Sequence, residues 1–201
     1  MKKSKKIGLL MGSFNPIHNG HMGIANYVLE FTDVDSIMFI VSPQNPFKKG
    51  KEMLDELKRL KLIEIAISET KNMIATDIEF NMPKPSYSVD TLKQLKNDDP
   101  DNEYVLIMGS DNLENLDKWK DYEYILDNFN IYVYKRNGFE KNIYSLHNHK
   151  IRKHLYNYDI KLIDDCPTSD LSSTFIRNSI KNDKNVKYFL PCGVFEEIKK
   201  K

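Results

Sequence analysis

Apolar residues along the chain fall into two alternating patterns. Short, nearly unbroken apolar runs occur at Ile7–Met11, Ser36–Val41, Met73–Phe80, Glu103–Met108 and Asn130–Tyr134, with a weaker one at Asp159–Ile163. Runs of this length and continuity suit parallel strands covered on both faces. Between them the apolar positions recur every three or four residues. Ile24, Ala25, Val28 and Leu29 mark a helix over Met22–Phe31, and Met53, Leu57, Leu60, Ile63 and Ile67 mark one over Glu52–Ile67. Further helices are predicted from Ser88 or Asp90 to about Lys96, over Leu116–Leu126, over Ser172–Asn182, and over Pro191–Lys200 with proline in its first turn. Strands alternating with helices predict an α/β fold: a Rossmann-like, doubly wound, mainly parallel sheet. The whole chain, 1–201, reads as one domain with a small helical C-terminal part from about 165 to 201. Phe139–Tyr158 is polar and carries no clear period.

Length, charge and cysteine content narrow the function classes. The 201 residues suffice for one sizeable core. Thirty basic residues against 29 acidic ones leave a formal charge of +1, so no basic field exists to hold nucleic acid. No apolar stretch reaches membrane-spanning length, which argues against a membrane partner. Lys2, Lys3, Lys5 and Lys6 read as a solvated start rather than a targeting signal, since no separate apolar run follows them. Cys166 and Cys192 are far apart and form no metal or redox spacing, which fits a reducing cytoplasm.

The candidate chemistry lies at the predicted strand ends, where open parallel sheets bind ligands. Gly12-Ser13-Phe14-Asn15-Pro16-Ile17-His18-Asn19-Gly20-His21 joins the first strand to the first helix. Free backbone N–H groups and the positive helix end make such a turn an anion site. His18 and His21 bracket the helix start, and Gly20 leaves the backbone open to close approach. A bound phosphate with two imidazoles over it suits phosphoryl or nucleotidyl transfer; a solvent-facing loop holding two histidines is the plainer alternative. In Leu171-Ser172-Ser173-Thr174-Phe175-Ile176-Arg177, a hydroxyl caps a helix start and Arg177 follows Ser173 by four residues, forming a second phosphate clamp. An ordinary cap with a surface arginine is the alternative there. Asp111, in Gly109-Ser110-Asp111 after a strand, can accept hydrogen bonds from ribose hydroxyls or cap a helix. The polar stretch holds His147, His149 and His154; the His-x-His pair could ligate a metal but lacks an obvious third ligand nearby, and no resident metal is expected. Neither a Gly-x-Gly-x-x-Gly nor a Walker A sequence is present.

At these residues the chain resembles the HxGH nucleotidyltransferase superfamily, and most closely its nicotinate-nucleotide adenylyltransferases. Gly12–His21 is similar to their G-x-F-[DN]-P-x-H-x-G-H, with Met11 where a second glycine is frequent and Asn15 where aspartate is common. Leu171–Arg177 resembles I-S-S-T-x-x-R, with Leu171 for Ile. Pro85–Leu92 resembles P-S-Y-T-x-D-T-L with Ser88 for Thr, and Gly109–Trp119 resembles G-x-D-x-L-x-x-L-x-x-W. Asn45-Pro46-Phe47-Lys48 is similar to a P-P-H-K loop with Phe47 for His, Lys135–Gly138 to an R-x-G turn, and Val186–Pro191 to V-x-Y-x-x-P. The likeness runs from about Ile7 to Ile198.

The resemblance implies transfer of AMP from ATP to nicotinate mononucleotide, with pyrophosphate released, as a step of NAD biosynthesis. It implies catalytic roles for His18, His21 and Arg177. ATP contacts are implied at Gly12, Ser13, Phe14, Gly20, Gly109, Asp111, Ser173 and Thr174. The mononucleotide falls to Lys48 (its phosphate), Tyr87 and Ser88 (the nicotinate carboxylate), Trp119 (stacking on the pyridine ring) and Arg136. Mg²⁺ is expected on the ATP phosphates, since no carboxylate cluster suggests a protein-built site. ATP and the mononucleotide are the expected partners, and a homo-oligomer is left open. Rival readings are the amide mononucleotide as acceptor, a phosphopantetheine adenylyltransferase or cytidylyltransferase, a class I aminoacyl-tRNA synthetase fragment, and a nucleotide sensor without catalysis.

Overall fold

The computed structural model describes residues 4–43, 53–136, 149–157, 159–167 and 169–200. Six strands form one sheet: β1 Lys6–Gly12, β2 Ser36–Val41, β3 Met73–Thr76, β4 Glu103–Gly109, β5 Asn130–Tyr134 and β6 Ile160–Ile163. Their order is β3-β2-β1-β4-β5-β6, and every neighbouring pair is parallel. The doubly wound α/β expectation therefore holds. β1 and β4 lie side by side at the centre, in register Leu10 to Ile107, where the strand order reverses. The carboxyl ends of these two strands carry the Gly12–His21 and Gly109–Asp111 segments, so the topology itself brings both to the switch point.

Eight α-helices occur among the described residues: α1 Asn19–Phe31, α2 Glu56–Ile67, α3 Ser88–Asp98, α4 Ser110–Leu113, α5 Tyr122–Asn128, α6 His149–Tyr156, α7 Ser173–Lys181 and α8 Val194–Lys199. Successive strand residues point to opposite faces, which divides the core in two. One cluster packs Leu10, Phe39 and Ile107 with Val28 of α1, Leu62 and Ile63 of α2, Ile176 of α7 and Val194 of α8. The other packs Leu9, Ile40, Leu106 and Val133 with Leu92 of α3, Leu113 of α4, Ile125 of α5 and Ile151 of α6. No helix among the described residues is long and apolar enough to cross a membrane.

Several boundaries differ from the sequence expectation, each for a local reason. β3 stops at Thr76, whose hydroxyl accepts from the Ile78 N–H and turns the chain; Phe80 N–H then bonds to Asp77. α2 begins at Glu56 because the Asp55 side chain caps Leu57 and Lys58; Leu57 is exposed, and Arg59 stands on the buried face instead. The single helix expected over Leu116–Leu126 is a short 3₁₀ turn, Leu116–Lys118, followed by α5. Trp119 is extended between them, and Asp121 at φ 47° breaks the continuity. The last helix begins at Val194 after Gly193, whose φ of 78° re-aims the chain, and not at Pro191. α6 forms in the polar stretch left unassigned.

Candidate active site

The turn after β1 is held by its own aromatic residue. Phe14 has φ 41°, a left-handed conformation rare for a bulky side chain. Its ring meets His21 edge-on at 5.1 Å and Phe39 at 5.7 Å, so the strained residue is anchored in the core below the turn. His18 caps α1: its carbonyl accepts from the N–H groups of His21 and Met22 at 2.9 and 3.3 Å. The His18 N–H in turn donates to Nδ1 of His21 at 3.3 Å. An accepting Nδ1 cannot carry the proton, so neutral His21 carries it on Nε2.

The two imidazoles stack at 3.7 Å and 24°. His18 is 4% exposed, and its Nδ1 is buried with no hydrogen-bond partner among the described residues. Burial, reinforced by the charge of Arg136, pushes its pKa down to about 4, so it is a neutral imidazole at physiological pH. Gly20 explains the small residue between the histidines. A Cβ there would lie 3.0 Å from His18 Nδ1 and 3.1 Å from Cε1, so any larger residue makes the ring give by a few tenths of an ångström.

The second predicted phosphate motif docks on the first. Ser172 caps α7 by accepting from Phe175 N–H at 3.2 Å. That frees Ser173, whose hydroxyl donates to the Pro16 carbonyl at 2.9 Å. Arg177 donates through Nη1 to the Asn15 carbonyl at 2.7 Å and through Nη2 to Thr174 Oγ1 at 3.2 Å. A cleft of about 290 Å³ opens between the two segments. Gly12, Ser13, Phe14, His18 and His21 line one side of it, and Ser173, Thr174 and Arg177 the other, with Tyr134 and Arg136 from the β5 end. Two guanidinium groups and the N-terminal ends of α1 and α7 give it the character of a polyanion site.

At the β4 end, Gly109 precedes α4, and Asp111 pairs with Arg136 at 3.2 Å. A side chain at position 109 would collide with Asp111 Oδ1 and lie 3.1 Å from Arg136 Cδ. Asp111 Oδ1 is buried over Gly109 and has no hydrogen-bond partner among the described residues; neither Asp111 nor Gly109 is among the residues lining the cleft. The Arg136 N–H is fixed by Ser110 Oγ at 3.1 Å.

The residues expected to meet the mononucleotide are distributed differently. Arg136 lines the phosphate cleft. Tyr87, Ser88 and Trp119 are not among the residues lining it. Tyr87 caps α3, Ser88 is its first residue, and half-buried Trp119 packs against the second core cluster. Lys120 lies 5.0 Å from the centre of the Tyr87 ring and 2.8 Å from Asp90, joining the Trp119 segment to the start of α3. Lys48, Phe47 and His147 lie outside the described residues. His154 contacts Asp159 at 3.0 Å and Asp127 at 3.4 Å, a pairing of α6 with its surroundings.

Two buried charged residues escaped the sequence reading. Glu79 is 2% exposed and accepts from Ser86 Oγ at 2.6 Å and Thr91 Oγ1 at 2.9 Å, stapling the loop that presents Tyr87 and Ser88. Arg59 is 1% exposed. Its guanidinium donates to the carbonyls of Ser13 at 2.6 Å, Ser42 at 2.8 Å, Leu54 at 3.0 Å and Pro43 at 3.2 Å. Burial lowers its pKa from the usual arginine value, against the opposing pull of Glu56 and Asp55. One signal was available: Arg59 occupies the apolar stripe at three and four residues before Leu62 and Ile63.

Comparison with known proteins agrees with this geometry. The cytidylyltransferase-like family matches residues 9–179. A protein of Flavobacterium johnsoniae named as a probable nicotinate-nucleotide adenylyltransferase is 46% identical over 193 residues, 96% of this chain and 95% of that one. A protein of Bacteroides thetaiotaomicron with the same name is 40% identical, covering 96% of this chain and 91% of its own. Among solved structures, the Plasmodium falciparum nicotinic acid mononucleotide adenylyltransferase complexed with NaAD superposes with a TM-score of 0.78 at 17% identity, over 96% of this chain and 94% of that one. The same enzyme complexed with APC gives 0.76, at the same identity and coverage. The two structures establish the shared fold, and the family match and the curated relatives the kinship: the chain belongs to the cytidylyltransferase-like family and, within it, to the nicotinate-nucleotide adenylyltransferases.

Proposed function

We propose that this chain transfers the adenylyl group of ATP to nicotinate mononucleotide, yielding the deamido dinucleotide and pyrophosphate. The observation that carries this reading is the docking of Ser173 and Arg177 on the Pro16 and Asn15 carbonyls, which brings α7 and its arginine to the same cleft as the stacked His18 and His21. An oxygen of the mononucleotide phosphate attacks the α-phosphorus. The bond from that phosphorus to the oxygen bridging to the β-phosphate breaks, and pyrophosphate departs with the electron pair. The nucleophile is already anionic, so no general base is required. The protein's task is alignment and neutralisation of charge.

His21 supplies its Nε2–H and neutral His18 one further ring N–H to the α-phosphate. Arg177, Ser173, Thr174 and the start of α7 hold the β- and γ-phosphates. The turn from Gly12 to Phe14 offers backbone N–H groups, and Asp111, beside Gly109, accepts from the ribose. Tyr87 and Ser88 at the start of α3, with Trp119, receive the nicotinate ring and its carboxylate. Lys48 and Arg136 meet the acceptor phosphate. Mg²⁺ carried on the ATP phosphates would supply further neutralisation of charge on the departing pyrophosphate, beside Arg177 and the start of α7. Among the described residues there is no group of three or more His, Cys, Asp or Glu that could hold a metal ion. His21→Ala is expected to lower kcat by about 10²-fold or more while the fold is retained; near-normal kcat would remove the histidines from the reaction.

A further inference from the structure

Arg59 spends a buried charge on four backbone carbonyls. Among the described residues, no carboxylate is bonded to it. Burying a guanidinium is costly, and a well-packed apolar side chain of similar volume is often as stabilising or more so. Stability alone therefore gives no reason for arginine here. What an apolar residue cannot do is fix the direction of carbonyl groups.

The shortest of the four bonds has a direct consequence. The Ser13 carbonyl and the Phe14 N–H belong to one planar trans peptide and point in opposite directions. With the carbonyl held against buried Arg59 at 2.6 Å, the Phe14 N–H points away from the guanidinium, and both Ser13 and Phe14 line the cleft. The same Nη1 holds Ser42 O and Nη2 holds Pro43 O, so the exit of β2 is locked to the turn after β1. Nε closes the set on Leu54 O, and the Leu54 N–H donates to Asn15 Oδ1 at 3.0 Å. Three segments distant in sequence converge on one planar fork. The left-handed Phe14 depends on such external support, because its backbone conformation is unfavourable on its own.

We infer that Arg59 is a positioning residue for the adenylyl-transfer site: it orients the Ser13–Phe14 peptide so that its N–H faces the α-phosphate of ATP, and ties that peptide to the end of β2. This rests on the reaction proposed above. The test compares Arg59→Lys and Arg59→Met in the full chain, with folded fraction and Tm measured beside ATP titration and steady-state kinetics. Arg59→Met is expected to fold, to bind ATP about tenfold more weakly and to lose roughly 30-fold in kcat, while KM for the mononucleotide moves by less than about threefold. Lys, a point charge without the planar fork, gives an intermediate loss. If Arg59→Met fails to fold, Arg59→Lys is read by the same criteria. ATP affinity and kcat within about twofold of the parent in a folded variant, or a loss only in proportion to the unfolded fraction, overturns the inference. Should the parent protein release no pyrophosphate with any acceptor, the reaction is at fault, and ATP titration of the variants still decides the role of Arg59.

Discussion

The guanidinium of Arg177 donates a 2.7 Å hydrogen bond to the backbone carbonyl of Asn15, across 162 positions of sequence. The bond makes the two segments proposed to bind phosphate one structure. Arg177 thus has two functions, a charge toward the cleft and a tie to the loop that carries the histidines. Arg177→Ala removes both, and kcat is expected to fall by about 10²–10³-fold. Arg177→Lys keeps the charge but cannot reach Asn15 O and Thr174 Oγ1 together, and should recover only part of the loss. Pyrophosphate release by each variant, with circular dichroism to verify folding, checks this.

Gly20 separates stability from activity. Alanine favours a helix over glycine by up to about 1 kcal/mol, so Gly20→Ala in the first turn of α1 is expected to leave Tm unchanged or raise it. The new methyl group would press on the His18 ring from 3.0 Å, and the ring must shift. The expected result is a loss of roughly tenfold or more in kcat in a protein at least as stable as the parent. Thermal melts and kinetics on one preparation suffice.

His18 links pH to stability. Its folded pKa of about 4 lies below the ordinary 6.5, so between these values the unfolded chain binds more protons than the native one. Stability is therefore complete above about pH 6.5 and is lost as pH falls toward 4, by about 3 kcal/mol for the full shift. His18→Gln should flatten that part of the profile. Urea midpoints of both proteins from pH 7 to 4 measure the difference.

Glu79 should act on the acceptor rather than on ATP. Glu79→Ala leaves the buried hydroxyl of Ser86 without its acceptor and Thr91 with only its longer bonds to Tyr87 O and Met82 Sδ, at a cost of about 2–3 kcal/mol. The loosened loop carries Tyr87 and Ser88. KM for the mononucleotide is expected to rise about tenfold, with a much smaller change for ATP.

The sheet was legible in the sequence because strands buried on both faces leave unbroken apolar runs, as in Ile37–Val41 and Tyr104–Met108. The two segments proposed to hold phosphate were legible as helix starts because their hydroxyl, glycine, histidine and arginine spacings follow from local helix-start geometry. Their union was not, since the Asn15 and Pro16 carbonyls that Arg177 and Ser173 reach lie at the other end of the chain. Arg59 sits in the apolar stripe of α2, but its role rests on the carbonyls of Ser13 and Ser42 far along the chain; Glu79 bonds the nearer Ser86 and Thr91, and no apolar period marks it as buried. The expected helix through Trp119 failed where Asp121 adopts a left-handed backbone, which the apolar period does not record.

The central claim is tested most directly by pyrophosphate release with ATP and Mg²⁺, comparing nicotinate and nicotinamide mononucleotides at equal concentration. A kcat/KM strongly favouring the acid is the predicted result, with its carboxylate held at the start of α3 beside Tyr87 and Ser88. Equal or better use of the amide would contradict that assignment while leaving the phosphate chemistry of His18, His21 and Arg177 in place. No release with either would contradict the account as a whole.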